Sequence, residues 1–191
     1  IKTDSEGNEE WTKQSISGNS VQQTSDGGYI VAGSWLIKTD SEGNEEWTKQ
    51  SISGNSVQQT TDNGFIITGT ISSFGNEDVK LIKTDFNGNE EWSQTFGGSG
   101  QQRGESVQQT TDGGYVITGR TIGGIWLIKT DTNGDSLWTQ IIGDGGNEGY
   151  SVKQTSDGGF IITGQTLTRG NGWHDLWLIK TDPEGNVPLD P

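Results

Sequence analysis

One short stretch constrains this chain more than its length or composition does: Ile37-Lys38-Thr39-Asp40-Ser41-Glu42-Gly43-Asn44-Glu45-Glu46-Trp47. It reads as a strand ending in Asp, a tight turn on Gly-Asn, and a return strand carrying Trp. The same stretch begins at Ile1, Ile82 and Ile128, and a fifth copy beginning at Ile179 carries Leu189 where the Trp is due. Residues 1–24 are identical to 37–60, which marks a recent duplication or a deliberate construction. Copies spaced 36 to 51 residues apart form an array of like units, each too small to bury its own apolar face.

The third copy lays out one unit. Ser106–Thr110 reads as a first strand, Asp112-Gly113-Gly114 as a two-residue-type hairpin turn, and Tyr115–Gly119 as a second strand. Ile125–Thr130 reads as a third strand, Asp131–Asp135 as a turn, and Ser136–Gln140 as a fourth strand. Four short antiparallel strands in about 45 residues is the arithmetic of a propeller blade. The third strand is apolar without alternation, as in Trp126-Leu127-Ile128, so its sheet is expected to be covered on both faces. Length varies in two places. The loop after the second strand is long at Thr70–Asp78 and longest at Thr166–Asp175. The link to the next unit is longer and Gly-rich at Phe96–Glu105 and Ile142–Gly149. The expected fold is all-β: a β-propeller of four-stranded antiparallel blades, four of them in this chain. It forms one domain over 1–186, with repeats starting near 1, 37, 82, 128 and 179, and a tail at 187–191.

Only 27% of the residues are apolar, a composition that by itself suggests disorder. Tryptophan at fixed phase and runs such as Phe65-Ile66-Ile67-Thr68 argue for order, and 31 glycines with 3 prolines suit many turns. The net charge of −14 argues against nucleic acid and against an anionic membrane surface. No apolar run approaches the ~20 residues that cross a bilayer. With no cysteine, disulfide and thiol chemistry are excluded. The chain opens inside a strand motif, Ile1-Lys2-Thr3-Asp4, without a visible signal segment, and is expected to be trimmed or partial.

The pattern Lys-Thr-Asp-x-x-Gly-Asn-x-x-Trp, joined to Ser-Val-Gln-Gln-Thr-x-Asp-Gly-Gly-Tyr-Ile-x-x-Gly, resembles the Trp-docking repeats of quinoprotein-type β-propellers. Similar repeats occur in secreted and surface proteins of bacteria and archaea. The resemblance covers 1–186 and implies that Trp11, Trp47, Trp92 and Trp138 dock one blade on the next. It implies an extracellular or cell-surface location, and closure into a ring. Pro188 removes a ladder donor from the fifth copy, so the strand at Glu9–Lys13 is expected to complete the last blade beside Leu176–Thr181. Two alternatives stay open: a blade lying outside this sequence, or two chains forming an eight-bladed ring.

No catalytic residue is assigned. The single histidine, His174, has no thiol partner, and no Gly-x-Ser-x-Gly elbow or metal-ligand spacing is present. Carboxylate pairs such as Glu45/Glu46 and Asp182/Glu184 recur in nearly every unit and read as solvated surface. The turn aspartates Asp40, Asp85 and Asp131 offer oxygens to Ca2+ or cap their own hairpins as Asx-turns; no other cofactor is expected. The least repetitive segment holds Arg169, Trp173, His174 and Asp175 on the longest loop, where a ligand site is expected. Arg103 and Arg120 are the next most distinctive positions. The expected function is a non-enzymatic extracellular binding or surface-structural scaffold with a protein or glycan partner, no nucleic acid and no membrane insertion; oligomer formation is left open. The alternatives are a hydrolase or lyase acting on glycans at the channel mouth, and a bare scaffold without a ligand.

Overall fold

The computed structural model describes residues 1–14, 17–73, 76–168 and 174–188. Its regular elements are all strands. A hairpin of β1 (Lys2–Thr3) and β2 (Glu9–Trp11) precedes four antiparallel sheets. Sheet I holds β3 (Ser20–Gln23), β4 (Tyr29–Ala32), β5 (Leu36–Thr39) and β6 (Glu45–Lys49). Sheet II holds β7 (Ser56–Gln59), β8 (Phe65–Ser73), β9 (Asn76–Thr84) and β10 (Glu90–Phe96). Sheet III holds β11 (Arg103–Gln109), β12 (Tyr115–Thr121), β13 (Gly124–Thr130) and β14 (Ser136–Ile142). Sheet IV holds β15 (Glu148–Gln154), β16 (Phe160–Thr166) and β17 (Asp175–Thr181). Within every sheet the strands follow in chain order.

The turns are one residue longer than the sequence suggests. At Asp112, the Thr110 N–H donates to Gly114 O and the Gly113 N–H donates to Thr110 O, both at 2.9 Å, which closes a three-residue loop. Gly113 takes a positive φ of 84°, and Asn63 (φ 67°) fills that place in sheet II. The extra residue lets Asp112 accept bonds from the Gly114 N–H and the Thr110 hydroxyl.

The middle strands of sheets II and III bury both faces. In β8, Phe65 and Ile67 join a core with Ile30 and Leu36 of sheet I, while Ile66 turns to a core with Val107 and Ile117 of sheet III. A third core joins Val116, Ile125 and Leu127 to Val152, Phe160 and Ile162 of sheet IV. Each junction also has a Trp. The rings of Trp11, Trp47, Trp92 and Trp138 lie 5.7–6.0 Å from Tyr29, Phe65, Tyr115 and Phe160 of the following sheet. Each ring also covers a turn glycine there: Gly43, Gly88, Gly134 or Gly185.

Between these cores lie buried lysines. Lys38 has a fully buried side chain, yet its Nζ donates to Glu46 at 2.8 Å and to Thr39 O at 2.9 Å, and pairs with Asp26 at 2.9 Å. Lys83 repeats this with Asp62, Glu91 and Thr84 O. Lys129 pairs with Asp112. Glu46 and Glu91 are thus partners of buried cations, not the freely solvated surface that repetition suggested. Burial alone would lower the lysine pKa values, but the carboxylate bonds outweigh it and raise both Lys38 and Lys83. Burial would raise Asp26; its bonds to Thr24 and Lys38 and from the Gly28 N–H bring it down to about 2.

Two segments read as loops are strand. Thr70–Ser73 and Asn76–Asp78 form the far end of the β8–β9 ladder, and the start of β11 takes Arg103–Glu105 out of the expected link. The stack is open. The strand Glu9–Trp11 does not complete the last sheet; it pairs with Lys2–Thr3 across a turn closed by Asp4. A local hairpin closes a far shorter loop than a pairing across the whole chain. Sheet IV therefore has three strands, and the described residues after Thr181 add none. Leu189 lies outside the described residues.

Trp92→Ala is expected to destabilise by about 3 kcal/mol through loss of a packed ring. Gly134→Ala is expected to cost about 1–3 kcal/mol, because a Cβ there sits 2.5 Å from the Trp92 ring at φ +82°. Both are read from urea midpoints. Acid stability follows the aspartates. A depressed folded pKa contributes stability above the unfolded value near 4, and this is lost as pH falls through the folded one. The urea midpoint is expected to hold from pH 8 down to about 5 and to fall between about pH 4 and 2.

Candidate functional site

At one rim of the stack, where the first strands begin and the second strands end, sheets III and IV depart from the repeat. The residues before Ser-Val-Gln-Gln are Gly18-Asn19 and Gly54-Asn55 in the first two sheets. In the third they are Arg103-Gly104-Glu105, and Glu148-Gly149-Tyr150 precedes Ser151-Val152-Lys153-Gln154 in the fourth. The ladder register shifts between Gly104 and Ser106, and between Gly149 and Ser151. Glu105 and Tyr150 are therefore bulged residues, and bulges re-aim side chains and collect near sites.

Charged groups from three sheets meet here. Arg103 donates through Nε (2.7 Å) and Nη2 (3.1 Å) to Glu77 on β9. This fork is a charge-assisted pair, and it holds the Glu77 carboxyl below the usual range. Arg103 and Arg120 face each other across the β11–β12 ladder. Arg120 reaches the other way, with Nε 3.6 Å from Glu148 Oε1 on β15. That buried Nε makes no hydrogen bond among the described residues. Glu148 Oε2 accepts the Tyr150 hydroxyl at 3.3 Å and Gln165 Nε2 at 3.5 Å. Burial first, and then the charge of Glu148, push the Glu105 carboxyl up against the opposing pull of Arg103 and Arg120. Burial likewise pushes the Tyr150 phenol up.

A cavity of about 300 Å³ opens beside these groups, lined by Gln101, Arg120, Asn147, Glu148, Gln165 and His174 among others. Asn147 is buried and fixes the wall, its Oδ1 accepting the Leu167 N–H at 3.1 Å. The cavity thus brings together two positions singled out in the sequence, Arg120 and His174, and Arg103 stands on the strand beside them. Asp175 opens β17 opposite Thr166, with a buried Oδ2 that has no hydrogen bond among the described residues. Arg169 and Trp173 lie outside the described residues. Glu77, Glu105 and Glu148 are site residues that the sequence reading passed over. For Glu105 and Glu148 the signal was the break in the repeat before Ser106 and Ser151.

The turn aspartates belong to a different arrangement. Asp40 Oδ1 accepts the Glu42 and Asn44 N–H groups at 2.9 and 2.8 Å, and Oδ2 accepts Asn44 Nδ2 at 2.9 Å. Asp85 and Asp131 hold their own turns in the same way. This is the Asx-turn alternative. Among the described residues no group of three or more His, Asp or Glu side chains converges as a metal site.

No protein-family model matches the chain, and no curated protein does. A solved structure of a Dyadobacter fermentans DSM 18053 protein of unknown function is similar, with a TM-score of 0.60 and 9% identity. The match covers 86% of this chain and 60% of that one, so this chain spans less than two thirds of the similar protein. A likeness at this identity speaks for fold alone.

Replacing Glu148 with Gln removes a like charge from beside Glu105. The Glu105 carboxyl is expected to titrate above the ordinary glutamate range in the parent protein and to move down in E148Q, as read by carboxyl carbon NMR.

Proposed function

We propose that the stacked sheets are an arc of a β-propeller, and that the protein is a non-enzymatic extracellular or cell-surface binding module. Its rim cluster takes a polyhydroxylated ligand of the glycan class. Three things support the arc: the sequential four-stranded sheets, the tryptophan at each junction, and the resemblance to quinoprotein-type repeats. The observation that carries the binding reading is Arg120. Arg120 lines the cavity, and its buried Nε, 3.6 Å from the carboxylate of Glu148, makes no hydrogen bond among the described residues. A buried donor without a hydrogen bond costs about 1–3 kcal/mol, and a ligand acceptor that draws the Arg120 guanidinium toward the cavity relieves that cost. A neutral vicinal diol fits both groups, accepting from the guanidinium and donating to the carboxylate. A free anion fits less well, because Glu77, Glu105 and Glu148 surround the spot.

A second reading, a glycan hydrolase or lyase, draws on Glu105. A carboxyl raised by burial beside a second carboxylate is the arrangement of a general acid with its partner. Glycan-array binding followed by calorimetry separates the readings. The module predicts binding without turnover, weakened about tenfold or more in R120A and E148Q through lost charge-assisted bonds. Release of reducing ends that disappears in E105Q would overturn the non-enzymatic reading. Absence of any glycan bound across the array would leave the bare scaffold.

A further inference from the structure

The two ends of the stack are bare where the interior junctions are covered. In the interior, the apolar face of one sheet is closed by the first strand of the next. Leu36, Leu81 and Leu127 are fully buried this way, as are Val79 and Ile125 two residues earlier in sheets II and III. Their counterparts in sheet IV, Leu178 and Leu176, are 62% and 84% exposed. At the opposite end the valine that closes such a face is bare: Val21 is 66% exposed, against 0–6% for Val57, Val107 and Val152. Beside Val21 lies a cavity of about 480 Å³ lined by Ile1, Trp11, Tyr29 and Val31 among others.

The edge of β17 lacks more than cover. Lys38 and Lys83 each bind two carboxylates, one from the turn between the first and second strands and one from the fourth strand. Their counterpart Lys180 pairs only with Asp157 among the described residues, and its side chain is 41% exposed. The missing group is a fourth-strand glutamate, and β2 carries one. Glu10 occupies the place of Glu46 and Glu91, and pairs for now with Lys2. The partner strand β1 is the segment Ile1-Lys2-Thr3-Asp4, the same four residues as Ile179–Asp182. Exchanging β1 for β17 therefore replaces a two-residue ladder with a longer one of identical local sequence. Such an exchange of like elements is a low-cost route to association.

We propose that a second copy of this chain docks head to tail on sheet IV. Its β2 takes the free edge of β17 in the register that pairs Lys129 with Trp138, so that Lys180 faces Trp11 and binds Glu10 of the second copy. Its Val21 and Tyr29 then close the face of Leu176 and Leu178. Two bonds that recur at every interior junction re-form. The serine hydroxyl that accepts the next sheet's valine N–H is supplied by Ser151. The glutamine oxygen that accepts the previous sheet's turn N–H is supplied by Gln23. A third does not. Gln22, Gln58 and Gln108 accept the next sheet's Gln N–H at 2.6–2.7 Å, but the fourth sheet has Lys153 there, which accepts nothing.

Light scattering of the 20.6 kDa chain across a micromolar to near-millimolar series tests this. The expected mass is two or more chains, falling on dilution. Leu178→Glu and Val21→Glu change exposed side chains at opposite ends, so each is expected to keep its near-ultraviolet tryptophan spectrum and to fall to a single chain. Mixed together they are expected to form a one-to-one pair, because one intact face of each kind remains. Lys153→Gln restores the missing acceptor and is expected to tighten association by about two- to twelvefold. A single-chain mass throughout the series overturns the proposal, as do variants that keep the parent mass.

Discussion

The contact on which the rest of the structure depends is the face-to-face burial between consecutive sheets. No sheet here has an inside of its own. Phe65 and Ile67 leave one face of β8 and Ile66 the other, so sheet II is stable only between sheets I and III. The tryptophan of each fourth strand locks that contact by lying on a glycine where no side chain fits. This is the energetics of an array, in which stability is the sum of units and nearest-neighbour junctions. It also explains why the end sheets carry apolar residues in water: the pattern is written for a neighbour on each side.

The buried lysines work within the same frame. An ammonium between two apolar cores is costly unless it is paired. Lys38 and Lys83 are paired by a turn aspartate from behind and a fourth-strand glutamate from the side, and each also bonds the carbonyl of the next residue. One ion thus ties three strands of a sheet together and selects their register. The turn aspartates that it holds are driven to low pKa, so this tie loosens in acid.

Against that regular background the rim of sheets III and IV stands out through its bulges. Regular units spend Asn19 and Asn55 on bonding the next sheet's backbone at Gly54 and Gly104. The later units put Glu105 and Tyr150 at that bulge and surround it with Arg103, Arg120 and Glu148. The result is a polar cavity whose groups satisfy one another only in part. That is where the repeat has been released from its structural duty.

By itself the sequence determined the all-β repetition, the sites of the turns and the covering of the third strands of sheets II and III on both faces. All of these are local: periodicity, Gly with Asp in turns, and Trp at fixed phase act between near neighbours in the chain. It also marked Arg103, Arg120 and His174 as departures from the repeat. Only the tertiary structure decided that Glu46 and Glu91 serve buried cations, that Glu77, Glu105 and Glu148 gather at the arginines, and that the stack stays open with its first hairpin closed on itself. Those outcomes join residues on different strands or different sheets. They rest on how one twisted sheet seats on the next, which no local pattern encodes.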